Sequence, residues 1–211
     1  MLDAQTTARY VYHSNRLDGI TVSEADTRRI LAGEVPPDGS VAGPDGREFE
    51  AEVVLGHERA LKATVMLAQG QGPLGEDQIK ALHRALMGEL LLSAGEYREC
   101  TLRYKGLLIQ SPPEQLPERM ARFVRLVASG LEPAVDAHKA SWRAHHELIT
   151  IHPFIEANGR MARLILNFVR LRRGLDLTIV PFESRDKYSK AIIEFQQQKI
   201  ARDRDKALEG S

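Results

Sequence analysis

Residues 152–163 read His-Pro-Phe-Ile-Glu-Ala-Asn-Gly-Arg-Met-Ala-Arg and run directly into Leu164-Ile165-Leu166-Asn167-Phe168-Val169. Met161, Leu164, Ile165 and Phe168 recur at i, i+3, i+4 and i+7, the spacing of one helical face, so a helix is predicted to start near Asn158. Ala157, Asn158 and Gly159 then form a loop-to-helix junction. Backbone N–H groups at such a junction lack intrahelical acceptors and sit at the positive end of the helix dipole, which favours anions. Arg160 and Arg163 lie one turn apart and can face the same anion. An unperturbed imidazole titrates near neutral pH, so with His152 the stretch holds the parts of a phosphate cradle with a base at its rim. Taken singly, a His before Pro and an Asn-Gly pair are ordinary boundary chemistry, and the two arginines are ordinary helix-surface cations. The joint spacing carries the reading.

The rest of the chain reads as helices separated by punctuation. A helix is predicted over 4–17, ending at Asp18-Gly19, since Gly is favoured just past a helix end. Ser23 with Asp26 resembles a capping box and opens a second helix over 24–32. Gly33, Pro36, Pro37, Gly39, Gly43, Pro44 and Gly46 mark 33–47 as a surface loop. Further helices are predicted at 48–68, 76–91, 116–129, 133–151, 159–173 and 185–201. Residues 97–109 alternate loosely and contain Thr101, Leu102, Tyr104 and Ile109, which suits a β-hairpin. The fold class is therefore mainly α, a helical bundle carrying one hairpin.

Composition narrows the chemistry. Lys plus Arg and Asp plus Glu are both 29, so no global field draws the chain to nucleic acid or to a membrane surface, and phosphate affinity has to be local. The single Cys100 excludes an internal disulfide and a cysteine-rich zinc site. With no apolar run of membrane-spanning length and no signal-peptide pattern, a cytoplasmic setting is expected. His138, His145 and His152 share one helical face. Seven helical residues rise about 10 Å, too far for two of their rings to bind one ion directly.

The dodecamer resembles the signature of the Fic family, H-P-F-x-(D/E)-G-N-G-R-x-x-R, departing from it only at Ala157. The likeness continues outside the motif. Gly95-Glu96-Tyr97-Arg98, then Thr101-Leu102-Arg103-Tyr104, resemble the family's target-docking flap, and the helix after it resembles 116–129. His57-Glu58-Arg59 and Ile79-Lys80-Ala81-Leu82-His83 are similar to the helices before the flap. Arg185-Asp186-Lys187-Tyr188 resembles the closing R-x-x-Y segment. Ser14-Asn15-Arg16-Leu17-Asp18-Gly19 resembles the inhibitory motif (S/T)-x-x-x-E-(G/N), with Asp in place of Glu. On that likeness the chain divides into an inhibitory helix region at 1–32, a loop at 33–47, a Fic core at 48–203 and a tail at 204–211.

The resemblance implies a protein adenylyltransferase that uses Mg2+ and ATP to place AMP on a Tyr, Ser or Thr hydroxyl of a target protein. It implies His152 as the base and Glu156 as the magnesium ligand. It implies nucleotide contacts at Ala157, Asn158, Gly159, Arg160 and Arg163, with Arg163 at the γ-phosphate. Ser14, Asp18 and Gly19 are the expected inhibitory residues. Thr101, Leu102, Arg103 and Tyr104 are the expected docking flap, where a target segment would add as a strand. Self-modification and a homodimer stay open. A low-activity nucleotide-binding module is the alternative outside that class, and a phosphotransferase or AMP-removing enzyme is the alternative within it. Ala157 resists the positive φ that Gly permits, which suggests a tilted cradle. Asp18 is one methylene shorter than Glu, which predicts a longer or water-bridged contact to Arg163; the plain alternative makes Asp18-Gly19 only a helix-ending turn.

Overall fold

A computed structural model describes residues 2–102 and 111–209, with the side chains of 205–209 left aside. Eight α-helices are present among the described residues: α1 Ala4–Leu17, α2 Glu24–Leu31, α3 Glu52–Gln69, α4 Glu76–Met87, α5 Leu116–Gly130, α6 Ala137–Ile151, α7 Asn158–Arg172 and α8 Arg185–Glu209. Two short strands, β1 Ser40–Ala42 and β2 Glu48–Glu50, pair antiparallel with Val41 opposite Phe49. Among the described residues, no helix is long and apolar enough to cross a membrane.

The bundle is built around α7. It packs between α6 and α3, and α1 lies against it as well. Every residue from Arg160 to Val169 is buried, including Met161, Leu164, Ile165 and Phe168. The predicted apolar stripe is thus one side of a helix enclosed all round, as a central bundle helix must be. Enclosure forces polar residues to find partners inside. Asn167 does so with the 174–181 connection: its Oδ1 accepts from the Thr178 N–H at 2.7 Å and its Nδ2 donates to the Thr178 carbonyl at 3.0 Å.

The helix ends follow local chemistry. Asp3 caps α1 through the Thr6 N–H at 2.8 Å, Ser23 caps α2 through Asp26 at 3.0 Å, and Asp136 caps α6 through Lys139 at 3.0 Å. Arg172 and Arg173 close other helices. Arg172 donates to the Leu67 and Ala68 carbonyls at the end of α3, and Arg173 to the Gly130 carbonyl at the end of α5. Orphan carbonyls at helix C-termini attract such cationic donors.

The segment read as loop and helix start differs from expectation. Residues 40–42 and 48–50 form a hairpin, and α3 begins at Glu52 rather than at 48. The turn Gly43-Pro44-Asp45-Gly46 supplies the reason: Gly46 takes φ +77, and the Gly43 N–H reaches the Arg47 carbonyl at 2.7 Å. Val41 and Phe49 flank it and favour strand. The hairpin expected at 97–109 lies largely outside the described residues, and 97–102 form no strand.

Five histidines are held neutral by the packing. Burial drives His57 and His145 well below their ordinary pKa and takes His83, His146 and His152 down to about 4. Because these folded values lie below the unfolded one near 6.5, the unfolded chain binds more protons in that window, and stability falls as pH drops from about 6.5 toward 4. Urea midpoints measured across this range should fall, each titrating histidine adding up to about 1.4 kcal/mol per pH unit. A flat profile would contradict neutral burial.

Candidate functional site

His152 ends α6 and Ala157 precedes α7, so residues 153–156 form a short link between two buried helices. Both flanking residues adopt left-handed backbone, His152 at φ 53 and Ala157 at φ 61. Each costs on the order of 1–2 kcal/mol for a residue with a β-carbon. Ala157 therefore adopts the left-handed conformation that a glycine takes more readily. Asn158 closes the link upon itself: its Oδ1 accepts from the Phe154 N–H at 3.0 Å and its Nδ2 donates to the Phe154 carbonyl at 2.7 Å. Phe154 stacks on His83 at 3.9 Å between ring centroids, while His83 Nε2 lies 3.2 Å from the Glu156 carbonyl.

The imidazole of His152 is buried, and its Nδ1 lies 3.3 Å from the Ile149 carbonyl. With Nδ1–H donating there, Nε2 carries the basic lone pair. Burial is the main cause of its lowered pKa; the Ile149 carbonyl and Asp18 raise it, and Arg98 lowers it. The ring is thus neutral at physiological pH. Glu156 is exposed beside it in sequence.

Arg160 and Arg163 turn inward beneath the start of α7, at 6% and 2% exposure. Arg163 meets α1 directly: Nε donates to Ser14 Oγ at 2.7 Å, Nη2 to the Ser14 carbonyl at 2.8 Å, and Nη2 to Asp18 Oδ1 at 2.7 Å. Its Nη1 donates to the Tyr188 hydroxyl at 3.2 Å, and that hydroxyl lies 2.7 Å from His145 Nε2. Burial works against the charge on Arg163, and Asp18 outweighs it, so the guanidinium is held firmly protonated. Asp18 Oδ2 also lies 3.4 Å from Arg160 Nε, but Nε and Nη1 of Arg160 make no hydrogen bond.

The Asp18–Arg163 contact is direct, contrary to the expectation of a longer or bridged pair. Two features supply the missing methylene. Asp18 caps the C-terminus of α1, which packs on α7, and Gly159 has no side chain between the carboxylate and the helix start. A β-carbon at Gly159 would lie 2.7 Å from Asp18 Oδ1 and 3.1 Å from Arg163 Nη1.

Of the residues expected at the site, His152, Ala157, Asn158, Gly159, Arg160, Arg163, Ser14 and Asp18 gather around the start of α7. Gly19 forms only the turn after α1, with φ +82. Thr101 is exposed and Leu102 half-buried, while Arg103 and Tyr104 lie outside the described residues. Tyr188 and Arg98, to which the motifs give no role, both contact this cluster. A pattern of residue types carries no signal of which carbonyl or guanidinium a side chain will meet.

Residues 73–169 match the family model described as Fic/DOC family. Protein adenylyltransferase fic-1 of Caenorhabditis briggsae is 33% identical over 183 residues, 85% of this chain and 34% of that protein. A Fic domain containing signalling protein from Bacteroides thetaiotaomicron has a TM-score of 0.77 at 25% identity, covering 90% of this chain and 71% of that one. Fic-1 from C. elegans has a TM-score of 0.72 at 27% identity, covering 98% and 64%. The chain spans about a third of the length of the curated relatives it matches.

The Gly159 contact makes a measurable prediction. Gly159→Ala should destabilise the wild-type chain and be neutral or favourable in an Asp18→Gly background, where helix propensity alone acts. A denaturation cycle should give a coupling of about 1–3 kcal/mol. Additive effects would mean that the carboxylate does not lie over Gly159.

Proposed function

The chain belongs to the Fic/DOC family, and on that premise we propose that it transfers AMP from Mg-ATP to a hydroxyl side chain of a protein and is restrained by its own α1. The observation that carries the reading is the pair of buried arginines under the N-terminus of α7, one engaged by a carboxylate, beside a neutral buried histidine. Two cations and unpaired N–H groups at a helix start suit an anion of higher charge than one carboxylate.

In this mechanism His152 Nε2 takes the proton of a Tyr, Ser or Thr hydroxyl, and the oxygen attacks the α-phosphorus. A new P–O bond forms, the bond to the β-phosphate oxygen breaks, and pyrophosphate leaves. A bound triphosphate would raise the pKa of His152 from about 4 toward the working pH, where a general base is most effective. The N–H groups at the start of α7 would hold the transferred phosphate, and Arg163 would meet the γ end. Asn158 would contribute mainly by holding the link closed, since both ends of its amide bond Phe154.

Glu156 is an exposed carboxylate next to this cradle, which fits an ion that takes one or two protein carboxylates and completes its shell with phosphates and water. Magnesium bound there would neutralise charge on the α- and β-phosphates. The chain's own part is to present Glu156 beside the N-terminus of α7.

Asp18 would compete with the γ-phosphate for Arg163, and its hydrogen bond to Arg163 supports that reading. A protein hydroxyl target, self-modification and a cytoplasmic setting belong to the same proposal, with residues 101–104 as the docking segment.

Incubation with Mg2+ and α-labelled or γ-labelled ATP tests it. Label on protein should come from the α position, rise several-fold with Asp18→Gly, and vanish with His152→Ala while ATP affinity stays nearly unchanged. Label from the γ position would identify a phosphotransferase instead. Glu156→Ala should remove the magnesium dependence of nucleotide binding. Wild-type turnover in His152→Ala would remove it from the chemistry.

A further inference from the structure

Arg98 ends the stretch Gly95-Glu96-Tyr97-Arg98 and is 3% exposed. Its hydrogen bonds go to carbonyl oxygens. Nε donates to the His152 carbonyl at 2.7 Å, Nη1 to Cys100 at 2.7 Å and Nη2 to Ser111, while its own N–H donates to the Pro153 carbonyl at 2.9 Å. One residue therefore holds the carbonyls of two consecutive peptides, His152–Pro153 and Pro153–Phe154, and ties them to residues 100 and 111. The Ser111 N–H adds a longer contact to the Ile151 carbonyl at 3.4 Å.

This arrangement is costly for mere packing. Burial lowers the pKa of Arg98, and an apolar side chain of similar volume usually serves stability as well as a buried charge. What a guanidinium adds is a planar fork able to hold several oxygens in fixed directions, which lysine cannot do. One of the oxygens it holds belongs to His152, a residue in left-handed backbone at the end of α6, where carbonyls lack helical donors. Strained geometry of this kind persists only when its surroundings over-determine it.

We infer that Arg98 is a positioning residue that fixes the His152 imidazole relative to Thr101 and Leu102, the first described residues of the proposed docking segment. The inference rests on His152 being the base of the proposed reaction, and it adds a device that sets base against acceptor. The Arg98 guanidinium holds three carbonyls at once, so truncating it frees the His152 peptide and the 100 and 111 ends together.

Among the described residues, Arg98 and Asp18 are charged groups that act on His152, in opposite directions. Removing Arg98 should let His152 titrate at higher pH, whereas general destabilisation leaves the titration of the folded form in place. The test uses the full chain carrying 15N-labelled histidine, with the His152 signals assigned by their absence in His152→Gln. In Arg98→Met the His152 titration should move up by roughly one pH unit. In Arg98→Lys the charge remains and the fork is lost, so the imidazole nitrogen shifts should move with little change in titration. With α-labelled ATP in an Asp18→Gly background, the maximal rate of self-labelling should fall about tenfold in Arg98→Lys and on the order of a hundredfold in Arg98→Met, at unchanged half-saturating ATP.

Wild-type His152 shifts in either folded variant would overturn the inference, as would a full maximal rate in Arg98→Lys or a parallel loss of ATP affinity. If Arg98→Met does not fold, Arg98→Lys decides alone. If the Asp18→Gly chain takes up no label, the AMP-transfer reading fails, and the His152 shifts still decide the role of Arg98.

Discussion

A guanidinium at 2% exposure needs nearby negative charge and oxygen acceptors, and Arg163 obtains them from three places in the chain. Asp18 supplies the charge and the Ser14 hydroxyl and carbonyl come from the same helix, while Tyr188 comes from α8. The pair therefore does more than neutralise a cation. It ties the end of α1 to α7, and Arg163 also holds Tyr188 of α8. A second link of the same kind joins Asn15 on α1 to His57 on α3 at 2.8 Å, so α1 is held by buried polar contacts along one face. Removing one partner from such a pair generally costs about 3–5 kcal/mol, because the other charge is left uncompensated. Here the Ser14 and Tyr188 contacts would remain to moderate that cost.

The same electrostatics links stability to function. Under the proposed function, a site that holds a carboxylate between two buried arginines and a helix N-terminus would exchange it for a larger anion. Arg160 sharpens the point. Its Nε and Nη1 are buried without hydrogen bonds while Asp18 passes at 3.4 Å, so the carboxylate satisfies one arginine and underserves the other. A triphosphate has oxygens enough for both. In this account α1 is a built-in competitor of modest reach, and the described chain is its engaged form.

Much of this was legible in the residues. The 161, 164, 165 and 168 spacing located α7, Asp18-Gly19 the end of α1 beside the site and Ser23 the start of α2, because caps and apolar faces are local and periodic. What escaped was contact between distant residues. Nothing in a spacing states that α7 would be enclosed on every side, or that Arg172 and Arg173 would close α3 and α5 rather than face water. The hairpin at 40–50 was missed because its Gly and Pro content reads equally as loop, and only pairing of Val41 with Phe49 makes it a sheet. The direct Asp18–Arg163 contact escapes a length estimate for a related reason. Reach depends on where the backbone sits, and Gly159 allows the approach that one lost methylene seemed to forbid.

The central claim is that Asp18 and the terminal phosphate of a nucleotide compete for Arg163. Calorimetric titration of wild type and Asp18→Asn with ATP and with AMP, both in Mg2+, tests it directly. Asn keeps the shape and removes the charge. The account predicts tighter ATP binding in Asp18→Asn by about tenfold, in line with a lost charge-assisted contact, and AMP binding that hardly changes. Equal gains for both nucleotides, or no gain for either, would contradict it.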